Sequence, residues 1–295
     1  MDLSTSTNIC AFRADGGGMG FDFIIRTCAE AGYKKLDMNF CEAMRPQSRM
    51  RTGEWQKQVY ELGEMADRYG IVFTQTHVPY YEVFNCNDEE KSVLFEELIR
   101  RSIIGTSMLG AKWTVTHPLT DYAAGGNMSV NKRKNIEYMN KHLETAEKYN
   151  VGLAIENMSQ KKSNPIYCVN MDELCDLADS FSSPSVGVCY DFGHANLQGD
   201  DQRKNLNIIG KSRLKCLHVQ DNHGIPEYDE HLMPFYGTVD WKNAMQGLRD
   251  IGYTGELTYE IQKFTQYLPD DMKHLAVKHS IEIGEKLLSY YRGEH

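Results

Sequence analysis

Six apolar runs in the chain each end in a side chain able to ligate a cation or move a proton. They are His77 in QTHVP, His117 in VTHP, Glu156 in AIENM, Asp191 with His194 in YDFGHAN, His218 in LHVQDN and Glu260 in LTYEI. One histidine or acid at a strand end is commonly a hydrogen-bonded structural residue. Six delivered to one rim are different, because carboxylates and imidazoles crowded together need cations to offset repulsion and lost hydration. Mixed carboxylate oxygen and imidazole nitrogen suit a divalent ion, Mn²⁺ or Zn²⁺ first, with Co²⁺, Fe²⁺ and Mg²⁺ as alternatives. No cysteine sits at these positions to close a structural zinc site.

Positioning these residues falls to strands read at 8–12, 34–40, 71–78, 111–117, 151–158, 186–192, 214–221 and 256–262. Between them lie amphipathic segments with apolar residues at three- and four-residue spacing, several closed by a glycine that fits a helix C-cap. Strand and helix alternating eight times, at roughly 35 residues per unit, predict an α/β fold, a single (β/α)8 barrel over residues 1–295. In such barrels the active site lies at the C-terminal ends of the strands, where these six residues fall. The glycine-rich GGGMG at 16–20 lacks dinucleotide-binding spacing and reads as a flexible loop.

With 41% hydrophobic and 25% charged residues, the chain has the composition of an ordinary globular protein. Its formal charge of −9 disfavours a nucleic-acid partner, since it repels a phosphate backbone at long range. The nearest basic patch is Arg45, Arg49 and Arg51, which reads as a solvated loop; QKFTQYLPDD after the eighth strand has no glycine-rich phosphate turn, so an unphosphorylated ligand is expected, with Lys263 or the arginine group left as a place that could hold an anion. The eight cysteines are scattered without a CxxC and are expected to be reduced and buried. No apolar run reaches bilayer length and MDLSTSTNIC has no signal-peptide pattern, so a cytoplasmic protein without membrane contact is expected.

The ordered set of Glu in AIENM, Asp and His in YDFGHAN, His in LHVQDN and Glu in LTYEI resembles the xylose-isomerase-like barrel superfamily over nearly the whole chain. That superfamily includes sugar isomerases and epimerases, inosose dehydratases and apurinic-site endonucleases. Likeness to its ketose 3-epimerase branch implies that Glu156, Asp191, His218 and Glu260 bind one divalent metal and that His194 bonds substrate. It also implies that Glu156 and Glu260 form the acid/base pair. The implied reaction runs through an enediolate: a proton returned to the other face epimerises, one returned to the adjacent carbon isomerises, and loss of water dehydrates. The implied partner is a small carbohydrate.

The endonuclease branch offers an alternative, a multinuclear zinc phosphodiesterase, which the resemblance would build by adding His77, His117, His194, Asp229 and His231 as ligands. Two departures touch the sugar branch. Gly224 stands where the ketose 3-epimerases carry an arginine, and PFYGTVDW puts Phe235 at the first glycine of the usual Pro-Gly-x-Gly turn. The long loop at 222–239 reads as a lid, with Tyr228, Phe235, Tyr236 and neighbouring Trp241 either covering a sugar face or anchoring the loop. His77, His117, Tyr236 and Trp241 thus join His194 as expected substrate contacts. Asp221 is expected to orient a ligand or cap the loop, and Asn157 to orient the Glu156 carboxylate. His142, His274 and His279 read as solvent-facing helix residues, and Tyr290 and Tyr291 as a contact available for a homo-oligomer.

Overall fold

The computed structural model describes residues 1–161 and 164–294. Its eight parallel strands are β1 (Asp2–Ser6), β2 (Lys35–Asn39), β3 (Val72–His77), β4 (Trp113–Thr116), β5 (Gly152–Glu156), β6 (Val186–Asp191), β7 (Leu214–His218) and β8 (Glu256–Tyr259). They run in the order β7-β6-β5-β4-β3-β2-β1-β8. The β7–β8 seam is drawn together by the Val219 N–H on Thr258 O at 2.8 Å and the Glu260 N–H on Val219 O at 3.1 Å. The result is a (β/α)8 barrel. Its helices are α1 (Phe21–Ala31), α2 (Trp55–Tyr69), α3 (Glu89–Met108), α4 (Met128–Lys148), α5 (Met171–Ala178), α6 (Phe192–Leu197), α7 (Gln202–Arg213), α8 (Trp241–Asp250) and α9 (Lys273–Arg292).

Strands buried on both faces need small or apolar residues throughout, and β5 and β6 read as near-continuous buried runs. The barrel interior holds a layer of Val115, Ala154, Cys189 and Cys216 packed against Trp113. Gly152 is required beside it, since a Cβ there would lie 2.3 Å from the Trp113 ring. The interior also holds a polar set: buried Asp37 accepts from Gln75 at 3.2 Å, and Gln75 accepts from Thr258 at 3.3 Å. Outside, α2 turns Trp55, Val59, Leu62 and Ala66 inward at helical spacing and stops at Gly70, whose φ is 66°.

Several expectations need correction. The first strand is Asp2–Ser6, not 8–12, where Thr7–Cys10 forms a single tight turn capped by the Ser6 hydroxyl on the Asn8 N–H. The interior side of β1 is filled by small hydroxyl residues, so the strand carries no apolar run to announce it. A short helix, α6, follows β6 directly because Asp191 Oδ1 accepts the His194 N–H at 2.7 Å and turns the chain. His142 is buried, not solvent-facing, because its face of α4 packs inward and its ring stands edge-on to Tyr138. The cysteines are all free, as expected, and six are buried, whereas Cys41 and Cys86 are only partly so. No helix among the described residues is long and apolar enough to cross a membrane.

Candidate active site

The C-terminal strand ends bring Glu156, Asp191, His218 and Glu260 together, with one ligand-type atom from each within 4.8 Å of the others and all four side chains buried. Sheet register does much of this. Asp191 on β6 stands opposite His218 on β7, and the seam bond at Glu260 sets that residue beside β7. Glu156 is the hub. Its Oε1 lies 2.9 Å from His218 Nδ1 and its Oε2 lies 2.8 Å from His117 Nε2 and 3.5 Å from His77 Nε2. His218 Nδ1 is also 3.5 Å from Glu260 Oε2.

His77, His194 and His231 share one arrangement. His77 gives its Nδ1 to Val78 O at 2.6 Å, His194 to Asn157 O at 2.7 Å and His231 to Glu260 O at 2.8 Å. With Nδ1 hydrogen-bonded to a carbonyl, each turns its Nε2 toward the mouth, the atom a cation would take in place of a proton. Asp229 joins two of them, its Oδ2 being 3.3 Å from His194 Nε2 and 2.8 Å from His231 Nε2. Asp229 and His231 therefore belong to the same cluster as the strand-end residues, although they sit in the loop after β7. His231 reaches it with a left-handed φ of 48°, a conformation non-glycine residues hold only when their surroundings enforce it.

The electrostatics are those of a site that wants a cation. Burial pushes the Asp191 carboxyl up to about 7, His194 opposing and Glu156, Asp229 and Glu260 reinforcing the shift. Its Oδ1 is used by the His194 N–H and Gln220, but its buried Oδ2 has no hydrogen-bond partner. A buried, orphaned carboxylate oxygen among other acids is the observation by which this donor set fits a divalent ion. Around Glu156, burial works against ionisation, but His218 and His117 outweigh it and hold the carboxyl below its usual range. Burial likewise opposes charge on His231, yet neighbouring Asp229 carries it up to about 9.

Asp221 caps the long loop. It is fully buried and accepts from the Asn222 and Val239 N–H groups on Oδ1 and from the Phe235 N–H and Trp241 indole on Oδ2. Trp241 therefore anchors the loop, with its donor satisfied and only 2% of its surface exposed, which leaves no face for a substrate. Tyr236 leans on α9, its hydroxyl 3.4 Å from His279 Nε2. Phe235 keeps the left-handed backbone of the glycine it replaces, with φ at 73°, and stacks edge-on against Tyr290. Asn157 serves Asp191, not Glu156: its side chain exchanges two hydrogen bonds with the Asp191 backbone.

Four further residues join the site without a sequence signal at a strand end. Gln220 donates to Asp229 at 2.7 Å and Asp191 at 3.3 Å. Asp37 stands 3.7 Å from His218 Nε2, an atom with no hydrogen-bond partner. Gln262 donates to Glu260, and the Tyr80 ring packs 4.7 Å from His117. The motif HVPYYE after β3 could have flagged Tyr80; the others are unremarkable amides and a mid-strand acid.

Comparison with known proteins agrees with the barrel fold. A solved D-tagatose 3-epimerase-like protein superposes with a TM-score of 0.77 at 21% identity, covering 99% of each chain. A solved IOLI protein with a binding zinc atom gives 0.75 at 16%, again over 99% of each. Among sequence relatives, an uncharacterised protein of Methanocaldococcus jannaschii is 27% identical over 69% of each chain. A probable endonuclease 4 of Bacillus licheniformis is 27% identical over 72% of this chain and 73% of its own. The model for the xylose isomerase-like TIM barrel matches residues 25–282, and the chain belongs to that family.

Proposed function

We propose that the protein is a divalent-metal-dependent sugar isomerase or epimerase acting on a ketose, a polyol-derived ketone or a related carbohydrate. The observation that carries this reading is the buried convergence of Glu156, Asp191, His218 and Glu260 around the orphaned Asp191 oxygen. These four residues would hold the ion, Mn²⁺ or Zn²⁺ by donor type. When bound, a divalent ion supplies Lewis acidity to a carbonyl and its neighbouring hydroxyl, acidifying the C–H between them. Glu156, at the end of β5, and Glu260, just past β8, take the proton from the substrate carbon and return one to it. His218 and His117 favour the charge on Glu156, and Gln262 orients Glu260 Oε1 at 3.3 Å. His194, His77 and His117 present ring nitrogens to substrate hydroxyls. Several of the solved neighbours are sugar epimerases or resemble one, which supports the same class.

A second reading, a multinuclear zinc phosphodiesterase, is favoured by one observation: His77 and His117 flank Glu156 on one side while His194, Asp229 and His231 form a trio on the other. The charge of −9 weighs against a nucleic-acid substrate. The deciding experiment is NMR in deuterated water with a panel of ketoses, inososes and 3-keto-glycosides. Solvent deuterium entering a sugar carbon is the expected result, with loss of water marking a dehydratase. Cleavage of an abasic-site duplex without exchange into any sugar would overturn the proposal in favour of the phosphodiesterase.

A further inference from the structure

A cavity of about 300 Å³ opens on the β1–β2 side of the barrel mouth, and the chemistry above leaves it unused. Gln262 separates it from the acid cluster, donating to Glu260 Oε1 at 3.3 Å while its own oxygen takes a bond from Asn8 at 3.4 Å. Phe12 and Phe21 supply apolar lining.

Its polar lining has unspent donors. Asn39, at the tip of β2, is 4% exposed; its Oδ1 holds the Cys41 N–H, and its Nδ2 has no hydrogen-bond partner among the described residues. The Arg45 guanidinium makes neither an ion pair nor a hydrogen bond among the described residues, the residue's only hydrogen bonds there being those of its backbone to Glu42 and Ser48. Geometry holds it instead: its guanidinium lies 5.7 Å over the Phe12 ring, and a Cβ on Gly18 would fall 2.3 Å from its Nη1. The carboxylate that lines the same cavity, Glu42, is engaged by Ser48 and Gln58 at 2.9 and 2.8 Å and does not pair with Arg45. Its two basic neighbours are committed elsewhere, Arg49 to Glu61 and Arg51 to the Met44 carbonyl.

We propose that this cavity is a subsite for an anionic group, a carboxylate or a phosphate, carried by the substrate away from its reacting carbons and read by Arg45 and Asn39. The inference rests on the sugar chemistry proposed above and narrows its substrate class. A guanidinium freed of protein acids keeps its planar fork of donors for an incoming oxyanion, and an added amide N–H completes an acceptor-specific site. The aromatic side matches the C–H surface of the connecting sugar carbons.

The test uses the full chain loaded with metal, with glucuronate, fructose 6-phosphate and fructose as probes, titrated by calorimetry. The parent protein is expected to bind one of the two anions about tenfold more tightly than fructose, and the arm that wins distinguishes carboxylate from phosphate. Arg45→Ala should bring that anion down to the fructose level. Gly18→Ala, which displaces the guanidinium without removing it, should do the same and guards against a folding defect in the first variant. Equal affinity for all three probes in the parent, or a preference that survives Arg45→Ala, overturns the subsite. Deuterium exchange is followed in parallel. Exchange into a neutral ketose without anion preference sinks the subsite alone, whereas anion preference without exchange into any sugar sustains the subsite and sinks the sugar reaction.

Discussion

Replacing Asp221 by asparagine tests whether one buried carboxylate holds the loop that delivers Asp229 and His231. Asp221 accepts four bonds, at 2.9 and 3.1 Å on one oxygen and 2.9 and 2.8 Å on the other. An amide turned either way faces one of these donor pairs with its own N–H groups. Two charge-assisted bonds are lost, each worth about 1.5–3 kcal/mol, so the loop is destabilised by about 3–6 kcal/mol. That approaches the whole stability of a modest domain, but the broken contacts are local, so the loop opens before the barrel does. Hydrogen exchange at Asn222, Phe235 and Val239 reads this directly. Protection at these amides should fall by about a hundredfold or more, at roughly 1.4 kcal/mol per tenfold, while β5 and β6 stay protected. Unchanged protection at the three amides would refute the assignment of Asp221 as the loop's organiser.

Three other outcomes follow from the same geometry. Asp37→Leu removes the carboxylate beside His218 Nε2 and should weaken divalent-metal affinity by about ten- to a hundredfold in a chelator competition, with Asp37→Asn, which keeps an acceptor oxygen, losing less; equal affinity in all three proteins would show that Asp37 does not orient the ring. Burial pushes His142 down to about 4 from its ordinary 6.5, against a small opposing effect of Glu96, so the unfolded chain takes up that proton first. The contribution is full above pH 6.5 and is lost as pH falls toward 4, about 3 kcal/mol in all, and urea unfolding of His142→Phe should show that much less acid sensitivity than the parent. Glu260→Gln should slow solvent-deuterium exchange into the ketose by about a hundredfold or more with an unchanged melting temperature; full exchange would remove Glu260 from proton transfer.

The site was legible where a strand's apolar run stops abruptly at an acid or imidazole. Glu156, Asp191, His218 and Glu260 all have that form, because a strand packed on both faces takes charge more readily at its tip than along its length. Polar residues inside a strand give no such break. Asp37 and Gln75 face the barrel interior among alternating residues and look like any half-exposed strand, and β1, built of serines and threonines, escaped notice for the same reason. Asp229 and His231 were visible as residue types, but their approach depends on the Asp221 bonds and on positive φ at His231 and Phe235. Neither side chain announces such a backbone. Trp241 was misassigned because an aromatic ring looks the same to composition whether it covers a sugar or fills the gap beneath a loop.

The central claim is that Glu156, Asp191, His218 and Glu260 jointly hold a divalent ion, and metal-edge anomalous diffraction from crystals loaded with Zn²⁺ or Mn²⁺ tests it most directly. The account predicts an anomalous peak about 2.0–2.3 Å from one atom of each of the four side chains, including the orphaned Asp191 Oδ2. Loaded crystals with no peak among these residues, or with the ion held by other side chains alone, would contradict it.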